Sequence, residues 1–397
     1  MANTSDDVLV ISGCRTAIGG YGGSLKDHSP SDLGAITLKE ALTRSGLAPD
    51  AIQHVVYGNV IHTEPGDMYL SRYIAVNAGV PVETPAMTLN RLCGSGLQAI
   101  ISAAQTIMLG DAEAAAAGGA ECMSRAPYWL PNARWGQRMG DGRMIDAMVA
   151  ALTDPFSKCH MGITAENVAD QYKISREDQD NLAAESHQRA ARATDEGYFK
   201  EQIVPVDIKQ KKETVQFVTD EHIRRDVKPE DMTRLKPVFK EDGSVTAGNA
   251  SGINDGAASL ILVGGKYAEK NNLTPMGRLV GYAHAGVDPS VMGIGPLPAI
   301  RNVLKRTGLS VADMDVIELN EAFASQALAV VRELDLPMDK TNPNGSGISL
   351  GHPVGATGCI ITIKALYELQ RTGGRYALIS MCIGGGQGIA AIFERLS

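Results

Sequence analysis

Apolar positions along the chain follow two spacings, and these predict its elements. Leu97, Ile100, Ile101, Ala104, Ile107 and Met108 fall at the i, i+3, i+4, i+7 intervals of one helix face, and Gly110 marks the end of that helix. Residues 32–44 and 297–306 show the same spacing, each closed near a glycine, Gly46 and Gly308. Ser175 is a good cap for a helix running to Gly197, with Asp178 in its first turn, and another helix is expected over residues 359–369. Shorter β-rich runs occupy residues 8–12, 86–89, 376–381 and 389–393. No apolar run reaches the ~18 residues of a membrane span.

The order of elements occurs twice. Leu42-Thr43-Arg44-Ser45-Gly46-Leu47 resembles Leu304-Lys305-Arg306-Thr307-Gly308-Leu309. Each is followed by an apolar run that ends at an asparagine, Asn59 or Asn320. Downstream, Asn90-Arg91-Leu92-Cys93-Gly94-Ser95-Gly96 resembles Thr341-Asn342-Pro343-Asn344-Gly345-Ser346-Gly347. Two units in the same order imply internal duplication. Each half reads strand, helix, strand, turn, helix, strand. The expected fold class is α/β, with two α/β layers, each on a largely parallel sheet. Residues from about 124 to 248 have no counterpart. The expected organisation is an N-terminal half of residues 1–123 plus 249–275, an inserted domain of 124–248, and a C-terminal half of 276–397.

Composition changes this picture in one respect. The chain has 43 glycines in 397 residues, nearly 11% against a usual ~7%. With 44% apolar and 21% charged residues the chain is not a disordered one. The glycines lie in knots between apolar runs, as in functional turns. The net charge of −8 argues against a nucleic-acid partner. The acidic start, residues 1–8, has no cationic lead into an apolar run, and the end Glu394-Arg395-Leu396-Ser397 is not a Ser-Lys-Leu address. Cys14, Cys93, Cys122, Cys159, Cys359 and Cys382 contain no Cys-x-x-Cys pair and read as reduced thiols, so a cytoplasmic setting is expected. Cys159 and His160 are adjacent, which chelates poorly, and no metal site is expected. Residues 200–240 carry ten Lys/Arg and eight Asp/Glu, a modestly basic stretch in an acidic chain. That suits a solvated face or a lid over an anionic ligand.

Four positions stand out chemically. Cys93 lies where the run 86–89 turns through Cys-Gly-Ser-Gly into a helix. Glycines there let a ligand come close, and the amide end of the helix favours thiolate, so Cys93 is either a nucleophile or a buried thiol. His352 sits among five glycines between residues 345 and 358, and a nucleophilic cysteine needs such a base. Cys382 opens Cys382-Ile383-Gly384-Gly385-Gly386-Gln387-Gly388, whose N–H groups suit an oxyanion. A dinucleotide loop is excluded there, because a strand-like run follows instead of a helix. Asn320 either caps a helix over residues 321–331 or holds a water near the site.

Taken together, these motifs resemble the thiolase family, the acetyl-CoA acetyltransferases and β-ketothiolases. Asn90-Arg91-Leu92-Cys93-Gly94-Ser95-Gly96, Asn320-Glu321-Ala322-Phe323, Gly351-His352-Pro353-Val354-Gly355-Ala356-Thr357-Gly358 and the Cys382 motif occur in the family's order across essentially the whole chain. Residues 159–167 and 246–252 bring the resemblance nearest to bacterial short-chain and broad-specificity β-ketothiolases. The resemblance implies duplicated αβαβα layers with an inserted loop domain, a homotetramer of paired dimers, coenzyme A thioesters as substrates and no cofactor. It implies that Cys93 carries the acyl group, that His352 activates it, and that Cys382 moves the α-proton of the second acetyl group. Asn320 holds a water that forms one oxyanion hole with His352. The N–H groups of Cys93 and Gly384 form the other. His160, Met161, Ala247, Gly248, Ser251, Met292, Ala322 and Phe323 match positions around the pantetheine arm and thioester. Leu152, Arg224 and Phe239 match positions nearer the nucleotide. Core packing is the plainer role for Met161, Phe239 and Met292.

Three other readings remain at this level. A ketoacyl-synthase-like condensing enzyme would carry His or Asn where Cys382 stands. A non-catalytic acyl-CoA-binding protein would not need all of Cys93, His352 and Cys382. A Cys–His hydrolase would not require Cys382 or the glycine run after it.

Overall fold

Alternation along the strand Val8–Thr16 sends Val8 and Val10 into one core and Leu9 and Ile11 into another. A strand that is apolar on both sides has to be covered on both. It runs near the middle of an eleven-stranded sheet. The main path is Val316–Leu319, Tyr376–Ile383, Gln387–Glu394, Gly277–Gly286, Val8–Thr16, Asn254–Gly264, Ala114–Cys122, His54–Gly58 and Ala86–Leu89. The computed structural model describes residues 7–396, so the readings made on residues 1–8 and 394–397 fall partly outside the described residues.

The expected parallel sheets are not what forms. Parallel ladders, among the described residues, are confined to His54–Gly58 with its two neighbours, Val316–Leu319 with Tyr376–Ile383, and the short Ile203–Val204 beside Val8–Thr16, with single parallel bridges from Ile317 to Thr341 and from Arg91 to Cys93. The other ladders of the sheet are antiparallel. The reason is visible after Cys382, where Gly384-Gly385-Gly386 turns Tyr376–Ile383 straight back as Gln387–Glu394. A turn that short joins only antiparallel strands. The two sheets expected are also one, linked by the pairs Leu9–Arg278 and Val10–Gly277.

Duplication is plain in the topology. Outward from that link, Val8–Thr16, Asn254–Gly264, Ala114–Cys122 and His54–Gly58 repeat as Gly277–Gly286, Gln387–Glu394, Tyr376–Ile383 and Val316–Leu319, with the same relative directions. The ladder irregularities correspond too, between Val10 and Ser12 and between Leu279 and Gly281. Helices Pro30–Ser45 and Pro296–Thr307 both end at left-handed glycines, Gly46 and Gly308, each at φ 71°. Where the second half makes its glycine turn, the first half inserts residues 123–253. Helices Met161–Tyr172 and Arg176–Asp195 lie there, the latter with the expected Ser175 and Asp178 capping box.

Helices Ser95–Met108 and Thr357–Thr372 pack on each other and touch strands of both halves, while Pro30–Ser45 and Pro296–Thr307 cover the outer faces. The layers therefore run helix, sheet, helix pair, sheet, helix. Gly96 and Gly358 permit the central contact: a Cβ on Gly96 would lie 2.8 Å from Cys359 N, and one on Gly358 2.1 Å from Leu97 N. This contact sets the Cys93 turn beside the His352 loop, because each motif sits at the start of one of these helices.

Candidate active site

Cys93 reaches the cavity through a strained corner. Leu92 adopts φ 47°, a left-handed conformation uncommon outside glycine, and the helix Ser95–Met108 begins two residues after Cys93. The Gly384 N–H, from the turn after Tyr376–Ile383, points at the Cys93 thiol. His352 arrives from the third glycine-rich loop. Its backbone N–H donates to Asn254 Oδ1 at 3.0 Å, and its Nδ1 lies 2.7 Å from Thr357 Oγ1. Asn320 Nδ2 lies 3.5 Å from His352 Nε2, and Asn320 Oδ1 is buried with no partner among the described residues.

These groups border a largely apolar cavity of ≈ 380 Å³. Cys93, His352, Gly384, Leu152, His160, Met161, Phe239, Ala247, Ser251, Met292, Ala322 and Phe323 all line it. Cys382 is fully buried just behind that wall, packed with Met161, Met292, Ala322 and Phe323 and close enough to Cys93 to affect its titration. Asn320 is also fully buried. Gly248 and Arg224 are not on the wall. Gly248 N–H donates to Thr246 Oγ1, which shapes the turn that presents Ala247. Arg224 is exposed, with its backbone N–H given to His187 Nδ1 at 3.1 Å.

The far wall is aromatic. His160 caps Met161–Tyr172 by accepting Gly162 N–H at Nδ1, and its ring stacks on Phe239 at 4.7 Å. Phe239 in turn meets Phe323 edge-on at 6.4 Å. A side chain at Gly162 would collide with Phe239, at 2.2 Å. Ser251 N–H donates to Ala322 O, which joins the segment 246–252 to the Asn320 turn.

Two expectations about the chemistry change. Asn320 does not cap a helix: the helix is Ala324–Glu333 with Phe323 at its cap, and the Asn320 side chain turns toward His352 instead. The Cys93 thiol is not held as thiolate. Burial pushes it above its ordinary value and outweighs the Gly384 N–H. Burial and the neighbouring Cys93 push Cys382 up as well, and burial brings His352 down to about 4. Near neutral pH the resting site thus holds two thiols and a neutral imidazole.

Several residues the sequence did not single out build the frame. Glu121 is fully buried and accepts four donors at 2.9–3.0 Å: Asn59 Nδ2 and the N–H groups of Val60, Ile61 and Gly355. It ties the His352 loop to the strand end beside Cys93, and burial pushes its carboxyl up to about 8. Asn254 spans His352 and Gly19, donating to Gly19 O at 3.0 Å. The paired glycines 19–20 and 22–23 belong to this frame. Gly20 N–H donates to Glu221 at 2.7 Å, Gly22 N–H to Ser124, and a Cβ on Gly23 would strike the Glu221 carboxylate. Cys14, Cys122 and Cys359 are buried outside the cavity, and Cys159 contacts Ser157 Oγ at 2.9 Å. No cluster suited to a metal ion occurs among the described residues.

His187, at 2% exposure, gives a pH prediction. Burial, helped by His222 and Arg224, lowers it from 6.5 to about 3. The unfolded chain therefore binds a proton that the folded chain refuses, and stability is lost as pH falls below 6.5. His187→Gln removes this linkage. Relative to the parent, its unfolding free energy should improve as pH is lowered from 6.5 toward 4, by at most about 1.4 kcal/mol per pH unit. Urea titrations at a series of pH values check this, and a difference constant with pH would contradict it.

Residues 8–266 match the family model for the N-terminal domain of thiolase, and residues 273–395 match the model for its C-terminal domain. The chain belongs to the thiolase family. It is 62% identical to the beta-ketothiolase BktB of Cupriavidus necator over 391 residues, 98% of this chain and 99% of that protein. It is 49% identical to the acetyl-CoA acetyltransferase of Syntrophomonas wolfei over 395 residues, 98% and 99% of the two chains. The crystal structure of human mitochondrial 3-ketoacyl-CoA thiolase superposes with a TM-score of 0.96 at 47% identity, covering 98% of this chain and 99% of that one. A structure of the human enzyme in complex with CoA gives the same score at 46% identity over the full length of both chains. As a thiolase, the chain is an acyltransferase that catalyses Claisen condensation and its thiolytic reverse. No helix among the described residues is long and apolar enough to cross a membrane.

Proposed function

We propose that this thiolase works by a ping-pong route on coenzyme A thioesters, through an acyl group carried by Cys93. His352 takes the Cys93 proton as the sulfur attacks the acyl-CoA carbonyl, then returns it to the departing coenzyme A sulfur. Acetyl-CoA enters next. Cys382, acting as thiolate, removes its α-proton; the enolate attacks the Cys93 thioester, and the proton now on Cys382 passes to the departing Cys93 sulfur as the 3-ketoacyl-CoA is released. Two thioester carbonyls gain charge at different steps, so two oxyanion sites are required. The N–H groups of Cys93 and Gly384 serve one. Asn320, through a water, serves the other with His352, and its unpartnered buried Oδ1 supports that use. No resident cofactor takes part.

The observation that carries this reading is the convergence of three glycine-framed turns, from distant parts of the chain, on one apolar cavity. His160, Met161, Ala247, Ser251, Met292, Ala322 and Phe323 line its wall and would bracket the acyl group and pantetheine arm, with Leu152 and Phe239, also on the wall, toward the nucleotide end. Gly248 shapes the turn behind Ala247, and Arg224, exposed in the inserted segment, would supply positive charge to the nucleotide end. Initial rates of thiolysis, with 3-ketoacyl-CoA and CoA varied together, should give parallel reciprocal plots. Intersecting plots would contradict the covalent route.

The same reading includes a homotetramer in the cytoplasm. Ala86–Leu89 is the last strand of the sheet among the described residues, and Met87 on it and Tyr69, Tyr73 and Val82 in the segment before it are exposed. Sedimentation velocity should give a tetramer, and a monomer at micromolar concentration would remove this part.

A further inference from the structure

The His352 loop brings in a residue that the reaction scheme leaves unused, Thr357. Its Oγ1 lies 2.7 Å from His352 Nδ1 and 2.9 Å from the carbonyl oxygen of Pro353. Thr357 is 2% exposed and does not line the cavity, so it acts on substrate only through another group. A hydroxyl has one proton and two lone pairs. With the proton donated to the Pro353 carbonyl, the oxygen has only lone pairs to offer the ring. Nδ1 is then the protonated nitrogen, and Nε2 carries the free lone pair. The surroundings of Nε2 agree, because the group facing it is the Asn320 Nδ2 amide, a donor.

Thr357 is well placed to impose this choice. It is the first residue of the long helix Thr357–Thr372, which is packed against the Cys93 helix, so its hydroxyl does not move independently of the framework. The backbone N–H of His352 is held separately by Asn254. The imidazole is therefore fixed at its backbone and at one ring nitrogen, with the other left for chemistry.

We propose that Thr357 is a positioning residue that holds His352 as the Nδ1–H tautomer and leaves Nε2 as the nitrogen that accepts the Cys93 proton. The proposal rests on the reading of His352 as base. The proton balance is simple. The Cys93 S–H proton moves to Nε2, the ring becomes imidazolium with Nδ1–H still on Thr357, and the Nε2 proton leaves on the coenzyme A sulfur. The opposite tautomer would present an N–H to the thiol and accept nothing.

Two measurements test this on the intact enzyme. Solid-state ¹⁵N spectra of enzyme labelled at its histidine rings, assigned by comparison with His352→Asn, should show Nδ1 protonated and Nε2 bare near neutral pH. The reverse assignment would overturn the proposal. Thr357→Val keeps the shape, and the Pro353 carbonyl still receives the N–H groups of Ala356 and residue 357. Its Cys93 acylation rate should fall on the order of tenfold or more, with KM nearly unchanged. Thr357→Ser should restore the rate. An unchanged rate together with an unchanged tautomer in Thr357→Val would overturn the role of Thr357. A tautomer that switches while acylation keeps its rate would overturn His352 as the base. Failure of Thr357→Ser to restore the rate would also count against the hydroxyl.

Discussion

Cys93→Ala is expected to form no acyl-enzyme and to lose on the order of 10⁴-fold or more in turnover. The size of the effect follows from the site. Removing Sγ takes away the atom that bonds to the acyl group, and nothing else on the cavity wall replaces it. Cys382 is buried behind that wall, Cys359 lies in the core with its thiol given to Gly96 O at 3.2 Å, and Cys159 is beside Ser157. The framework should survive, because the Cys93 thiol meets only backbone N–H groups, those of Gly384 and of Cys93 itself, among the described residues. Rapid-quench measurement of the first coenzyme A released from acyl-CoA reads the step directly. A normal burst from the alanine variant would contradict the assignment.

Cys382→Ser should separate the two half-reactions. Acylation of Cys93 should persist near its normal rate, while condensation falls on the order of 10²–10⁴-fold, the usual contribution of a general acid or base. Serine keeps the position and the hydrogen-bonding character but replaces a thiol with a far weaker acid. Burial already pushes the Cys382 thiol up, and Cys93 beside it adds to the shift. Parallel rapid-quench acylation and steady-state condensation assays check the split. Equal loss in both, or no loss in condensation, would contradict it.

What could be read from the chain depended on distance along it. Gly46, Gly308, Ser175 and Asp178 act within a few residues, and their caps form as expected. The repeat was also legible, because both copies keep the same turn residues. Strand direction was not, since it follows from where a chain returns, and the antiparallel pairing of Val8–Thr16 with Asn254–Gly264 joins residues about 250 apart. The Asn320 turn misled for a local reason: Asn is a good cap, yet the helix starts four residues later and leaves its side chain free to face His352. The helix end beside Cys93 was visible in sequence, but the burial that overrides it was not.

The candidate site was legible to the extent that its chemistry sits in glycine-rich turns. Its supports were hidden because each joins segments far apart: Glu121 with Gly355, Asn254 with Gly19, and Glu221 with Gly20. Glycines 19–23 take their role from Glu221, about 200 residues away, and connect the inserted segment to the strand pair that carries Asn254, and through it to His352.

The central claim is that Cys93, among six cysteines, carries the acyl group. The most direct measurement is peptide mapping of Cys382→Ser enzyme quenched after brief exposure to acetyl-CoA, because the variant should stall with its acyl group in place. A single acetyl group on the peptide containing Cys93 is predicted. An acetyl group on the peptide containing Cys159 or Cys359, or none at all, would contradict the account.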